Sequence, residues 1–199
     1  MERTVNEVKI TPNLVWKYNY APGFNVAEFL DYQSRELQLN DTEADGGMST
    51  AGHLNPPHEW DCNKDFMTWL MPKIEIALHE WDCNYTDVIY TSSWSNLHNK
   101  HAHTLPHEHG ATTLVVSAYV QAPIGSGNLE FEQLLRERWI ATSRKPKATI
   151  HDYWREVSIE TNDVLLFPGW LTHKTQASQI DKDRITFTIN CNAIDRGRT

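Results

Sequence analysis

The sequence predicts a mainly β fold of the sandwich or jelly-roll type, with flanking α-helices in the first half of the chain. After Asp87 the chain consists of short runs rich in β-branched and aromatic residues, each bounded by Gly, Pro, Asn or Asp. No helical pattern lies between these runs, which excludes the alternating order of a parallel α/β sheet. The length of 199 residues and the 40% share of hydrophobic residues predict a single domain over residues 1–199.

Residues 1–87 are predicted to form a support of helices and edge strands for the β core. Short apolar runs interrupted by Pro12 predict one or two edge strands within residues 5–20. From Asn25 to Leu39 the apolar residues recur roughly at helical spacing, which predicts a first helix.

A long loop and a second helix are predicted to follow. Residues 40–57 contain Asp-Gly-Gly, Ser-Thr and Pro-Pro, a composition that favours a loop. From Asp65 to Trp81 the apolar residues lie on one helical stripe, which predicts the second helix. Pro72 lies within that segment and should kink the helix or divide it in two.

The β core is predicted to span residues 88–192. Its seven candidate strands are Val88–Trp94, Thr112–Gln121, Leu129–Phe131, Glu156–Ile159, Val164–Phe167, Leu171–Gln176 and Arg184–Asn192. Residues 132–154 form an irregular insertion that carries the basic residues Arg136, Arg138, Arg144, Lys145 and Lys147. This insertion is interpreted either as a solvated basic loop or as a lid that contacts an anionic substrate.

Charge and composition limit the kinds of binding partner and the cellular compartment that the sequence predicts. With 18 Lys plus Arg against 26 Asp plus Glu, the net charge of -8 argues against a nucleic-acid partner. No run approaches the roughly 18 apolar residues of a membrane span. Three widely spaced cysteines and an N-terminus without an apolar leader predict a reduced, cytoplasmic protein. A bridge between Cys62 and Cys83, and a homodimer, both stay open at this point.

One six-residue motif, HEWDCN, occurs twice, at residues 58–63 and 79–84. Its two His-x-x-x-Cys pairs can in principle form a tetrahedral zinc site from His58, Cys62, His79 and Cys83. That spacing is uncommon in zinc ribbons, and each copy also carries a tryptophan. Packing around a helix is therefore the favoured interpretation.

The strongest local signal is Pro106-His107-Glu108-His109, which directly precedes the longest predicted strand. In an extended segment residues two apart share a face, so His107 and His109 converge on one point while Glu108 points away. This is the geometry of a metal-ligand pair. His101-Ala-His103 is the competing pair, but no predicted strand follows it directly.

A second group of polar residues lies downstream. His173 follows an apolar strand that ends at Pro168-Gly169, and Arg184 comes eleven residues after His173. Along the last predicted strand Arg184 and Thr186 alternate with apolar residues and therefore share one face. A guanidinium fork with a hydroxyl beside it suits a carboxylate ligand.

These motifs resemble the 2-oxoglutarate and Fe(II)-dependent oxygenases, and more narrowly a group of such oxygenases from marine bacteria and tailed phages. The matching pieces are Trp94-Ser-Asn96, His107-x-His109, Ser117-Ala-Tyr119, Pro123 with Gly127-Asn-Leu-Glu-Phe131, Asp163 to His173, and Arg184 to Asn190. The resemblance covers about half of the chain. It implies a double-stranded β-helix, a cupin-like jelly roll that holds a metal between its two sheets and has helices bracing one side.

The resemblance also implies roles for individual residues. His107 and His173 correspond to the two metal-binding histidines, and Arg184 to the residue that binds the distal carboxylate of 2-oxoglutarate, with Thr186 beside it. His109 stands where the family has a carboxylate, and no His-x-Asp or His-x-Glu occurs anywhere in the chain. The implied metal site therefore has three histidines.

Two further side chains are matched by the resemblance. Asn96 and Tyr119 are expected either to hydrogen-bond the co-substrate or to satisfy the interior of the sheet.

The resemblance implies an Fe(II)- and 2-oxoglutarate-dependent dioxygenase, most simply a hydroxylase of a small-molecule or peptide substrate. If the chain is phage-encoded, it would act in the host cytoplasm. Two alternatives stay open. One is a three-His cupin-type metalloenzyme that does not use 2-oxoglutarate, for which Arg184 would be dispensable. The other is a non-catalytic, metal-stabilised binding module.

Overall fold

A computed structural model describes residues 14–39, 44–133, 153–195 and 197. Its helices are α1 (Val26–Glu36) and α2 (Lys64–Glu80), with single 3-10 turns at Pro57–Glu59 and Asp61–Asn63. The strands are β1 (Trp16–Asn19), β2 (Gln38–Leu39), β3 (Ala44–Asp45), β4 (Met48–Ser49), β5 (Asp87–His98), β6 (His103–Thr104), β7 (Leu114–Gln121), β8 (Leu129–Glu132), β9 (Trp154–Val157), β10 (Asp163–Pro168), β11 (His173–Thr175) and β12 (Arg184–Ile194). Most of the predicted basic insertion and the start of the predicted edge strands lie outside the described residues.

Two antiparallel sheets form the body of the fold. The larger sheet has the order β1-β10-β7-β12-β5-β4-β2, and the smaller has the order β11-β8-β9. One apolar core lies between the larger sheet and the helices, and a second includes residues of both sheets. The mainly β jelly roll with flanking helices is thus confirmed, whereas the division into residues 1–87 and 88–192 stays a prediction.

Strand β12 shows how the sequence creates these two environments. Ile185, Phe187 and Ile189 belong to the core on the helix side, where Phe187 contacts the rings of Phe29 and Phe66. The intervening side chains of Arg184 and its even-numbered neighbours point to the other face of the sheet, as the period of a strand requires. The predicted polar face of this strand therefore lies between the two sheets.

Helix α1 is shorter than predicted. The side chain of Asn25 caps it by accepting a hydrogen bond from the backbone N–H of Glu28. The helix ends at Glu36, because Leu37 is extended and the next two residues pair with β4 as strand β2. The prediction of helix up to Leu39 was wrong at this end, where strand pairing overrides local spacing.

Helix α2 runs through Pro72 as one element, so of the two expected effects the division into two helices is wrong. Pro72 is exposed, and the carbonyl that its missing N–H leaves free lies on the solvent side, where water can bind it. Residues 40–57 also differ from the predicted loop, since they contain the two-residue strands β3 and β4. None of the helices in the described part of the chain is both long and apolar enough to cross a membrane.

The two copies of HEWDCN lie at the two ends of α2, and the tryptophan of the first copy packs against α1. Trp60 is 1% exposed, stacks on Tyr32 at 5.4 Å and contacts Phe29 at 5.2 Å. Its indole N–H donates to the carbonyl of Asn55 at 3.0 Å.

The zinc alternative for the repeat is not supported by the described residues. His58 hydrogen-bonds through Nδ1 to Ser93 Oγ at 2.7 Å, and the four candidate ligands form no cluster in this part of the chain. Cys62 and Cys83 are both free, so the bridge left open between them is not formed. The packing interpretation of the repeat fits these contacts.

We expect Trp60→Ala to lower the free energy of unfolding by about 3 to 5 kcal/mol, because it removes a fully buried aromatic ring. His79→Ala, an exposed residue of the other copy, should change it by less than about 0.5 kcal/mol. Urea denaturation measures both. A large loss in His79→Ala, or a stability that falls on adding a chelator of zinc, would contradict the packing role.

Candidate metal centre

Three histidines meet at one end of the space between the sheets. One ring nitrogen from each of His107, His109 and His173 lies within 4.8 Å of the other two. His107 and His173 are joined by an antiparallel bridge in which each backbone N–H donates to the other's carbonyl at 3.0 Å. The backbone itself therefore holds two of the three rings together.

Each ring is oriented through its Nδ1. The Nδ1 of His107 lies 2.8 Å from the carbonyl of Leu105, and that of His173 lies 2.9 Å from the carbonyl of Leu171. Because a carbonyl only accepts, both Nδ1 atoms carry the proton. This tautomer leaves the lone pair on Nε2.

His109 has the same Nδ1–H tautomer, but its acceptor is a side chain and not a backbone carbonyl. Its Nδ1 lies 2.7 Å from Oδ1 of Asn190, whose amide nitrogen donates to Ser92 Oγ at 3.1 Å. In this amide orientation Asn190 presents its oxygen as the acceptor, and Nδ1–H of His109 donates to it. The ring of Trp94 stacks on His109 with centroids 5.6 Å apart.

In this tautomer each of the three Nε2 atoms carries a lone pair that is free to bind a metal. Nε2 of His109 and Nε2 of His173 are 3.3 Å apart. Two nitrogens about 2.1 Å from one metal, at tetrahedral or octahedral angles, lie about 3.0 to 3.4 Å apart. The donor set is suited to a divalent transition metal.

Burial keeps these ligands neutral. Together with the neighbouring His107, burial lowers the pKa of His109 to about 4 and that of His173 to about 3, and burial is the larger cause. Neutral imidazole is the form that binds metal. No proton must therefore be displaced from these two rings near pH 7.

A close approach of two loops fixes the segment that carries His109. The backbone N–H of His109 donates to the carbonyl of Gly169 at 2.7 Å. A Cβ at position 169 would lie 2.2 Å from the carbonyl oxygen of Thr112, so only glycine fits there. Glu108 is exposed on the same segment and does not belong to the cluster, as its position predicted.

The histidines stand beside a cavity between the sheets. It is lined by Trp94, Asn96, His98, Thr104, His107, His109, Val115, Ser117, Tyr119, Leu129, Phe167, His173, Thr175, Thr186 and Thr188. Asn96, Tyr119 and Thr186, which the sequence singled out, are thus brought together with the histidine cluster. The competing pair is not, since neither His101 nor His103 belongs to the histidine cluster or lines the cavity.

Arg184 lies just behind this lining and is 0% exposed. Its NH1 donates to the carbonyls of Ser126, Gly127 and Gln176, and its NH2 donates to Thr175 Oγ1 at 2.9 Å. Its Nε has no hydrogen-bond partner among the described residues. No carboxylate of the described residues is paired with it, and burial lowers its pKa from the ordinary value.

Sequence reasoning missed Thr175. Its Oγ1 accepts from both Arg184 NH2 and the backbone N–H of Thr104, at 2.9 and 2.8 Å. Both lone pairs are used, so the hydroxyl proton is free to donate into the cavity. Because Thr175 lies two residues beyond His173 on one strand, the rule that found His109 also points to it.

Comparisons with known proteins identify a family that part of the chain matches. Residues 92–190, about half of the chain, match a protein family described as "Putative 2OG-Fe(II) oxygenase". A comparison with curated proteins found no match.

Solved structures share the fold at low sequence identity. A prolyl-4-hydroxylase from Pseudomonas putida has a TM-score of 0.59 and 11% identity, over 91% of this chain and 93% of that one. The viral collagen prolyl hydroxylase of Paramecium Bursaria Chlorella virus-1, as its 2OG complex, has a TM-score of 0.61 and 10% identity, over 92% and 97%. HygX from Streptomyces hygroscopicus, with nickel and 2-oxoglutarate bound, has a TM-score of 0.50 and 13% identity, over 90% and 82%. These likenesses show the double-stranded β-helix fold.

Replacing any of His107, His109 or His173 by Ala should abolish stoichiometric binding of a divalent metal, because each supplies one of three converging Nε2 atoms. Glu108→Ala should leave it nearly intact, since that carboxylate points to solvent. Anaerobic Fe(II) titration monitored by calorimetry measures this. Loss of binding in Glu108→Ala but not in His109→Ala would contradict the three-His assignment.

Asn190→Leu should weaken metal binding by about 10- to 100-fold, because His109 loses the acceptor that holds its proton on Nδ1. Ser92→Ala should have a smaller effect, since it leaves that acceptor in place. Nitrogen NMR of the metal-free rings reports the tautomer of His109 directly. An unchanged Nδ1–H tautomer in Asn190→Leu would show that another group orients the ring.

Proposed function

Because the chain belongs to the 2OG-Fe(II) oxygenase superfamily, we propose that it is an Fe(II)- and 2-oxoglutarate-dependent dioxygenase that hydroxylates a small-molecule or peptide substrate. His107, His109 and His173 hold the iron, and Arg184 binds the distal carboxylate of 2-oxoglutarate. When bound, the iron and its co-substrate supply the activation of dioxygen. The contribution of this chain is to position the iron, the co-substrate and the substrate relative to one another.

The buried guanidinium of Arg184 is the observation that carries the proposal. A cation removed from water without a partner anion is costly, and burial of one without an ion pair is rare. Arg184 has no acidic partner among the described residues, and its Nε is both buried and unpaired. A dianionic co-substrate entering the adjacent cavity would supply the missing charge and the missing acceptor.

The three-His ligand set is consistent with the same co-substrate. A carboxylate ligand would leave an Fe(II) site with a charge of +1, whereas three neutral imidazoles leave +2. A dianion neutralises that charge, so this site should favour 2-oxoglutarate electrostatically. The ligand change alters the charge around the metal and keeps the facial arrangement of donors.

Other lining residues orient the co-substrate and exclude water. Thr175 has a free hydroxyl proton, and Thr186 lies beside Arg184 on the same strand face. Burial raises the pKa of Tyr119 to about 12, so its hydroxyl stays protonated and can donate. Leu129 and Phe167 supply apolar walls to the cavity.

We also propose a reducing cytoplasm as the site of action, or the host cytoplasm for a phage-encoded chain. Cys62, Cys83 and Cys191 are all free, which suits a reducing compartment. The His-x-His motif supports placement in the narrower group of oxygenases from marine bacteria and tailed phages.

Anaerobic reconstitution with Fe(II), followed by titration with 2-oxoglutarate, tests the proposal. We expect the visible charge-transfer band of a 2-oxo acid chelated to iron, and succinate on adding oxygen. A three-His cupin-type enzyme would bind iron without this band. A binding module would gain stability from the metal and turn over nothing, so either result would overturn the proposal.

Arg184→Ala should weaken 2-oxoglutarate binding by about 2 to 4 kcal/mol, because a buried carboxylate loses a charge-assisted donor pair, while iron affinity stays nearly unchanged. Arg35→Ala, a change to an exposed surface arginine, is the control. Titration of the charge-transfer band measures both. Full 2-oxoglutarate affinity in Arg184→Ala would favour the cupin-type alternative.

A further inference from the structure

A second buried residue beside Arg184 has a ring nitrogen without a partner. His98 is 1% exposed, lines the cavity and lies directly opposite Arg184 in the register of β5 and β12. Its Nδ1 is buried and makes no hydrogen bond within the part of the chain that the structure describes. A buried polar atom of this kind costs stability unless a ligand satisfies it.

The other edge of the His98 ring is closed by the protein. Nε2 lies 3.1 Å from Thr104 Oγ1. Gly47 packs against the same edge, where an added Cβ would lie 3.1 Å from Cδ2 of His98. The edge that carries Nδ1 is therefore the one left for the cavity.

The surroundings make Nδ1 a neutral donor. In the tautomer in which the Thr104 hydroxyl donates to Nε2, the ring proton of His98 lies on Nδ1. Burial and the positive charge of Arg184 lower the pKa of His98 to about 3, so the ring carries no charge near pH 7. Two N–H groups, one from His98 and one from Nε of Arg184, are thus present in one buried region, and no described residue accepts from either of them.

We propose that His98 is a specificity residue for the co-substrate, whose Nδ1–H donates to the distal carboxylate of a dicarboxylic 2-oxo acid alongside Arg184. This inference rests on the proposed function. A 2-oxo acid that lacks the distal carboxylate leaves both buried donors unsatisfied, and a site of that kind rejects such an analogue strongly. His98 therefore helps to distinguish 2-oxoglutarate from 2-oxo monocarboxylates.

The test compares two ligands on the anaerobic Fe(II)-loaded protein, 2-oxoglutarate and 2-oxopentanoate, which has the same chain length but no distal carboxylate. His98→Phe should weaken 2-oxoglutarate binding about tenfold or more and change 2-oxopentanoate binding less than about twofold. His98→Asn should restore most of the affinity, because its amide N–H can occupy the place of Nδ1. His79→Phe, a change in an exposed helical residue far along the chain from the cavity lining, is the matched control.

The outcomes separate this inference from the proposed function. If the unaltered protein binds 2-oxoglutarate and His98→Phe weakens both ligands equally or neither, the role of His98 is wrong and the oxygenase assignment stands. If the unaltered protein does not bind 2-oxoglutarate, the role of His98 and the proposed oxygenase function are both wrong. Should His98→Phe not fold, Thr104→Val decides, since losing the donor to Nε2 should weaken 2-oxoglutarate severalfold and spare 2-oxopentanoate. Unchanged 2-oxoglutarate affinity in Thr104→Val would overturn the inference.

Discussion

The alternation of β12 between two environments is the constraint on which the rest of the structure depends. Its odd-numbered residues from Ile185 to Cys191 fill the core under the helices, and its even-numbered residues face the smaller sheet. A slip of one residue against β5 or β7 would place Arg184 in the helix-side core and Phe187 in the cavity. The apolar packing of one face therefore fixes the polar chemistry of the other.

Sequence reasoning found the parts of this arrangement that depend on the period of a strand. The shared face of His107 and His109, and that of Arg184 and Thr186, follow from residues two apart pointing the same way. The partners that orient the rings could not be found in this way. Asn190 meets His109 only because β12 and the loop before β7 are neighbours in space, and their positions lie 81 residues apart.

The errors in the secondary structure have the same origin. Strand β2, which ends α1, pairs with the nearby β4, and β4 and β3 pair in turn with the distant strands β5 and β6, which no local window contains. His98 illustrates the point for the site, since a histidine in a His-rich stretch gives no sign of its burial. Only the pairing of β5 with β12 places it opposite Arg184.

The three acceptors that orient the histidine rings differ in how easily a mutation can change them. Leu105 and Leu171 act through main-chain carbonyls, which every amino acid possesses, so substitution there leaves the acceptor in place. Asn190 acts through a side chain, and a single codon change can replace its amide by a carboxylate or remove the acceptor. Of these three contacts, only the one made by Asn190 can therefore be changed by substitution of the acceptor residue. Evolution could tune the electron density at the metal through this position, whereas substitutions at Leu105 and Leu171 would leave the acceptors unchanged.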